Sequence, residues 1–256
     1  MDEGAAGGVQ SLDAALRLLK VLAETGGAAS LSELARRCDM PPSKAHRYLA
    51  SFLNAGLVEQ AGRSGKYDLG AEALRLGLAA LARHDFVNRA ADALAGLAAE
   101  TRMTALLSVW GNEGATVVRW ERAETPTVTS MGLGTTMPLL NSATGRAFLA
   151  WAPRGATAPA LARDLARVAT MPSLAPDLEP TPEGVQALTE AIRARGFASI
   201  DGGFIPGLVA LAAPILDWQG EAQAVVTLIG TDPAALRPEA PAVQALTGFC
   251  RGQSFA

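Results

Sequence analysis

Cysteine and histidine are scarce in this chain, two of each in 256 residues. Cys38 and Cys250 stand far apart and form no CxxC pair, which argues against a disulfide framework and a thiolate zinc site. His46 and His84 have no evident nucleophile or metal partner, so no metal centre and no cofactor are expected. Long hydrophobic runs are also missing. No stretch of about 18 apolar residues occurs, and Asp2 and Glu3 followed by Gly and Ala do not make a signal peptide. A soluble, cytoplasmic protein without a membrane partner is the expectation. Neither sign of charge dominates: the net charge is -3. That excludes a protein coated in positive charge, but not a small basic module on a more acidic body.

What is present is apolar material, 49% of residues against 18% charged, in a length that suits two domains. Residues 1–8 read as a disordered tail. Leu12, Ala15, Leu16, Leu19 and Leu22 then form a helical stripe, with Ser11 as cap and Gly26-Gly27 as stop. Ser30-Leu31-Ser32-Glu33 has the spacing of a capping box and opens a short helix to about residue 38. Asp39-Met40-Pro41-Pro42 cannot continue it, because a residue before Pro is pushed out of the α region. A third helix follows over residues 41–53, with Pro at its start and Ser43 placed to cap it. Ala45, Leu49 and Phe52, joined by Tyr48 and Leu53, can face a core. Ser43, Lys44, His46, Arg47, Ala50 and Ser51 stay outside as a small, polar, basic face. Such a face suits a DNA groove; it also suits plain solvent.

Leu57-Val58-Glu59-Gln60 and Lys66-Tyr67-Asp68-Leu69 read as strands around the turn Gly62-Arg63-Ser64-Gly65. Three helices and a hairpin make a winged helix-turn-helix over residues 9–70. Residues 30–67 hold six basic and three acidic side chains, +3, which leaves -6 for the rest. With Ser30 and Arg37 on the preceding helix and Arg63 and Lys66 on the wing, the candidate DNA contacts are Ser30, Arg37, Ser43, Lys44, His46, Arg47, Ser51, Arg63 and Lys66. Residues 71–86, rich in Leu and Ala, read as a linker helix that needs a partner surface and contributes to a dimer. Residues 87–256 form the second domain: a helix to about 101, strands expected over 103–110, 116–122 and 127–131, then helices over 141–151, 157–168 and 181–195. Strands over 197–200, 207–216 and 221–229 and a helix over 239–250 complete it. Strands on either side of a helical block give a mixed α+β fold with a mainly antiparallel sheet flanked by helices.

Several stretches resemble the IclR-type transcriptional regulators. They are Val9-Gln10-Ser11-Leu12-Asp13-Ala14-Ala15-Leu16, Pro42-Ser43-Lys44-Ala45-His46-Arg47-Tyr48-Leu49, Gly56-Leu57-Val58 and Tyr67-Asp68-Leu69-Gly70 in the first domain. In the second they are Met137-Pro138-Leu139, Ser142-Ala143-Thr144-Gly145-Arg146-Ala147-Phe148-Leu149-Ala150, Arg195-Gly196-Phe197-Ala198 and Gly207 through Pro214. The resemblance implies a winged helix that binds double-stranded operator DNA, a GAF-like effector-binding domain, a small organic acid or aromatic catabolite as effector, and a homodimer or homotetramer. Two recognition helices would suit a palindromic operator.

Asn141-Ser142-Ala143-Thr144-Gly145 begins a helix whose first N–H groups and dipole can receive an anion. The resemblance gives the amides of Ala143 and Thr144 that role towards a carboxylate; an ordinary cap by Asn141 or Ser142 is the other reading. Where relatives that sense small keto acids place an Asp, a Cys and two Ser, this chain has Ile200, Ala210, Thr227 and Ile229. A tiny polar effector would leave its oxygens buried without partners there, so an apolar or aromatic body with one carboxylate or hydroxyl suits better. Trp110, Trp120, Met131, Leu133 and Met137 are candidates for the wall, or else core residues. The leading reading is a ligand-responsive regulator of a catabolic operon. An enzyme built on the second domain, or a dimerising adaptor that binds no DNA, is the alternative.

Overall fold

A computed structural model describes residues 9–61, 64–81, 85–123 and 131–255. The expected tail, Arg63, His84 and most of the expected strand over 127–131 lie outside the described residues. The chain divides after residue 84 into two compact units.

In the first unit, α1 (Gln10–Ala23) buries Ala15, Leu18 and Leu22. This differs from the expected stripe. Leu12 and Leu16 point to solvent and Leu18 is fully buried, because a leucine-rich helix offers two apolar faces and the core selects the one through Ala15. Val9, not Ser11, is the N-cap, without a side-chain bond. Helix α2 (Leu31–Arg37) is capped by Ser30, whose hydroxyl accepts the Glu33 N–H at 3.3 Å. It ends at Asp39, which adopts φ 49°, while the Met40 N–H reaches back to the Ala35 carbonyl at 3.0 Å. That left-handed residue closes the turn as a glycine would. Helix α3 (Pro42–Asn54) starts on Pro42 with no side-chain cap. Ser43 sits inside the first turn and does not cap it, because Pro41 already occupies the N-cap.

Strands β1 (Val58–Ala61) and β2 (Lys66–Leu69) pair antiparallel, and Ala29 bridges to Tyr67. The hairpin is thereby tied to the segment ahead of α2. Leu18, Leu22, Leu34, Ala45 and Leu49 form the centre of one core with Tyr67 at its edge. Where the hairpin returns, Gly70 donates to the Leu57 carbonyl at 2.9 Å. A Cβ on Gly70 would stand 2.3 Å from the Gly56 oxygen, so only glycine permits that approach. Helix α4 (Ala71–Leu81) follows directly.

The second unit is built on a six-stranded sheet ordered β5-β4-β3-β8-β7-β6, in which every described pairing is antiparallel. Its strands are β3 (Thr104–Gly111), β4 (Gly114–Glu121), β5 (Thr136–Met137), β6 (Ala198–Asp201), β7 (Val209–Leu216) and β8 (Ala222–Gly230). Met131 is not in a strand; β5 instead pairs Met137 with Ala115. One face of the sheet carries α5 (Phe86–Thr101) and α9 (Pro241–Gln253), with Leu94, Leu97, Leu211, Val226 and Leu246 between the layers. The other face carries α6 (Ala143–Trp151) and α8 (Pro182–Arg195) over Leu106, Val117, Phe148, Ile192 and Val225. A β-bulge opposite Leu107 and Ser108 lets Val117 and Trp120 share a face despite their odd separation.

Helix α6 is buried along almost its whole length. Its approach is strapped down from several sides. The Asp164 carboxylate, on α7 (Arg154–Thr170), accepts the N–H groups of Leu139 at 2.6 Å and Leu140 at 3.3 Å. Arg146 donates to the Leu140 carbonyl at 2.7 Å and grips Asp177 with two bonds of 2.6 Å. Gly145 lies against the same segment: a Cβ there would meet the Pro138 oxygen at 2.1 Å.

The Arg146 hydrogen bonds hold the Asp177 carboxyl below the usual carboxylate range, against the opposing effect of its partial burial. A lowered folded value means the contribution to stability is complete above the ordinary carboxylate pKa near 4 and is lost as pH falls through the lower folded value. Asp177→Asn should therefore be less stable than the parent at pH 7 in urea, with a gap that narrows as the pH drops below about 4. A gap that does not vary with pH would contradict this role.

Candidate functional site

Two regions gather the residues singled out in the sequence. On α3, Ser43, His46, Arg47 and Ser51 are exposed and Lys44 is half-buried. The 3.6-residue period that buries Ala45, Leu49 and Phe52 puts these on the opposite side. The Lys44 ammonium sits 5.8 Å from the centre of the Tyr48 ring, which fixes a cation near the start of the helix. Arg47 makes no side-chain bond or ion pair among the described residues, and the Ser51 hydroxyl turns back to the Arg47 carbonyl at 3.3 Å. A free guanidinium between small polar neighbours is able to reach phosphate or a base edge. Ser30 is engaged as the α2 cap, and Arg37 approaches Glu24 at 3.6 Å. Lys66 is exposed at the start of β2.

The second region is a cavity of about 30 Å³ between the start of α6, the strand ends and a loop over residues 202–208. Met131, Met137, Ser142, Ala143, Thr144, Ile200, Ala210, Thr227 and Ile229 line it together. Alternation along β8 and β7 explains the sheet side: Thr227, Ile229 and Ala210 all project on the α6 face. The remaining candidates lie elsewhere. Leu133 points to solvent, 68% exposed. Trp110 packs on Phe148 with ring centres 5.5 Å apart. Trp120 lies on the same sheet face but across Leu106 from Thr227, and its buried indole N–H has no partner among the described residues. Asn141 is buried and holds the 202–208 loop, donating to the Gly203 carbonyl at 3.5 Å.

Phe204, Ile205 and Leu208 complete the lining and were not anticipated. They sit on a loop closed by the Gly202 N–H to Leu208 carbonyl bond at 2.9 Å, with Gly202 and Gly207 in the left-handed region. Large apolar residues inside a glycine-bounded loop were the available signal.

Polar chemistry in the cavity is sparse. The Ser142 hydroxyl accepts the Gly145 N–H at 2.9 Å and donates to the Pro138 carbonyl at 2.6 Å, so it is saturated as the α6 cap. Thr144 and Thr227 share a buried hydroxyl bond of 2.8 Å between helix and sheet. The Arg146 N–H goes to the Ser142 carbonyl. That leaves the amides of Ala143 and Thr144 without a partner among the described residues, at the positive end of the helix dipole. Among the described residues no charged side chain lines the cavity. Arg146, the one cation in α6, is committed to Asp177 and Leu140.

Elsewhere, no His, Cys, Asp and Glu cluster among the described residues has metal-binding geometry. Cys38 and Cys250 are free and buried, and burial raises both thiols above their usual pKa. No helix among the described residues is long and apolar enough to cross a membrane.

Comparison with known proteins finds family matches along most of the chain. The IclR helix-turn-helix domain matches residues 11–62, and the bacterial transcriptional regulator IclR C-terminal domain matches residues 78–246. The HTH-type transcriptional regulator BhcR of Paracoccus denitrificans is 34% identical over 88% of this chain and 78% of its own. The glycerol operon regulatory protein of Streptomyces coelicolor is 29% identical over 82% of this chain and 80% of its own. The crystal structure of Pseudomonas aeruginosa HmgR aligns with a TM-score of 0.83 and 38% identity over 96% of this chain and 97% of that one. The relatives are regulators of transcription and not enzymes. The chain thus belongs to the IclR family of transcriptional regulators, with a DNA-binding helix-turn-helix in its first unit.

Proposed function

We propose that this regulator reads operator DNA through α3 and the wing, and answers to an organic acid with an apolar or aromatic body held at the start of α6. The observation that carries the effector reading is the pairing of two free amides at the α6 terminus with an otherwise apolar, uncharged lining. The amides and dipole favour a carboxylate. Met131, Met137, Ile200, Phe204 and Ile229 favour an apolar remainder, which gains roughly 25 cal/mol for each Å² it hides from water. A volume of about 30 Å³ matches one water's share of the liquid. A larger effector therefore requires Met131, Met137 and the 202–208 loop to move outward, and methionine is the side chain best able to repack. That movement gives a two-state element that an effector biases by its preference for the open form. A catabolic operon is supported by the relative named for the glycerol operon.

Ser43, Lys44, His46, Arg47 and Ser51 on α3, Ser30 and Arg37 on α2, and Lys66 with Arg63 on the wing form the proposed DNA contact set. In gel-shift titrations on operator fragments selected from genomic DNA, Arg47→Ala should weaken binding by about tenfold or more, corresponding to 1–3 kcal/mol for a base contact. It should also flatten the salt dependence if Arg47 meets phosphate. Unchanged retention would favour the adaptor reading. For the effector, Ala210→Phe fills the cavity. Operator binding should persist in this variant, while the response to aromatic acids such as phenylacetate or 4-hydroxybenzoate, tested beside pyruvate, is lost. A response surviving in the variant would move the effector site elsewhere.

The dimer reading rests on α4. Leu74, Leu76 and Leu78 are 65%, 62% and 55% exposed on it, and Leu12 and Leu16 are exposed on α1. Apolar surface of this extent calls for a covering partner, here a second copy of the chain. Leu74→Glu with Leu78→Glu should shift the protein towards monomer in analytical ultracentrifugation and reduce its operator affinity. An unaltered assembly would place the interface on another surface.

A further inference from the structure

We infer that the second unit carries another ligand site, a cleft for a small planar anion at the far end of β7 from the effector cavity. The cleft has a volume of about 740 Å³, within the range of small-molecule sites. Its origin lies in the sheet. Strand β6 pairs with β7 only as far as Ala198 opposite Ala212, so residues 213–216 of β7 lack a neighbour on that side. Pro214 occupies this uncovered edge, where its missing N–H leaves no donor unpaired. The end of the chain covers only the last residue of the strand. There the Leu216 N–H donates to the Ser254 hydroxyl at 2.8 Å, and its carbonyl accepts the Phe255 N–H at 2.9 Å.

Three arginines surround that edge, Arg193 and Arg195 from the last turn of α8 and Arg251 from the last turn of α9. Cations at helix C-termini are ordinary one at a time. Here two helices bring them to one cleft, and among the described residues none makes a contact ion pair, Asp177 acting on Arg195 only at longer range. Among the described residues Asp217 is the one acid in the lining. Its oxygens are already spent in the β7–β8 turn, accepting the N–H groups of Gln219 at 2.8 Å and Glu221 at 3.0 Å and the Gln223 amide at 2.7 Å. Cys250 adds no negative charge, since burial keeps its thiol protonated, donating to the Ala213 carbonyl.

The guanidinium positions are braced from below. Arg193 donates through Nε to the Ala150 carbonyl, and Arg195 lies over the Phe197 ring at 5.6 Å. Both retain other N–H donors. Trp218, 59% exposed, stands at the rim with Trp151 along the wall. Guanidinium groups with free donors beside aromatic surface recognise a carboxylate or phosphate attached to a flat ring. Aromatic carboxylates and nucleotides share that chemistry. The effector cavity has the opposite character, being small and enclosed mainly by apolar side chains, with no charged one among the described residues.

The test titrates the full chain with 2-naphthoate and, separately, with ADP, by calorimetry and tryptophan emission, in the parent, in Arg195→Gln/Arg251→Gln and in Trp218→Phe. At least one probe should saturate with a Kd below about 1 mM. The arginine variant should weaken it at least about tenfold, and added salt should weaken it in the parent. Trp218→Phe should lose the emission change, while all variants keep the parent's thermal midpoint and operator binding. Saturation by naphthoate alone or by ADP alone identifies the source of the anion. If neither probe saturates, or if binding is the same in the arginine variant, the cleft is not a ligand site and any bound probe lies elsewhere, the effector cavity included.

Discussion

The segment before α6 is the constraint on which the second unit depends. A helix buried almost throughout must begin somewhere in the interior, and its first N–H groups must then be met by something other than water. The chain solves part of this with Ser142, whose hydroxyl bonds at both ends. Asp164 and Arg146 fix the backbone ahead of it. Gly145 removes the side chain that would hold the helix away from Pro138 and Leu139. With these in place, Ala143 and Thr144 are left facing the cavity. The polarity of the site is a residue of how the helix was anchored.

Much of this was legible because it is local. The Ser30 cap of α2 is a short-range device, and it acts in the structure where its spacing places it. The start of α6 was readable for the same reason. The face of α1 was not, since Leu16 and Leu18 are chemically alike and only the packed core distinguishes them. Strand β5 was missed because two residues carry no periodicity; it exists through pairing with β4. Phe204, Ile205 and Leu208 reach the cavity through a loop shape set by Gly202 and Gly207, which no pattern of apolar spacing encodes. Trp120 shares the α6 face of the sheet with the cavity, yet whether a large side chain lines a hollow or fills a core depends on neighbours two strands away.

The first unit works on a tighter margin. Its core is small, and two backbone devices set its geometry: Asp39 in the left-handed region between α2 and α3, and the glycine contact between Gly56 and Gly70 at the base of the wing. Asp tolerates that conformation at a cost of about 1 kcal/mol, and it is offset by the turn bonds that let α3 project its basic face. The Ala29 to Tyr67 bridge then joins hairpin and helices into one body. A recognition helix held from both ends presents its side chains with little freedom to lose on binding, and that is what specificity at base edges requires.

Strand β7 places two unlike hollows on one element. Near its start, Ala210 faces a cavity closed mainly by apolar side chains, in which backbone amides, Ser142 and two threonines are polar. Past Ala212, where β6 stops, the same strand becomes the floor of an arginine-rich cleft. A sheet strand is stiff along its length, and the hydrogen bonds of β7 to β8 run through both regions. Occupying either hollow therefore bears on a shared, rigid ladder. Coupling between the two would follow only from a difference in their preference for one arrangement of that ladder, and by linkage it would act equally in both directions.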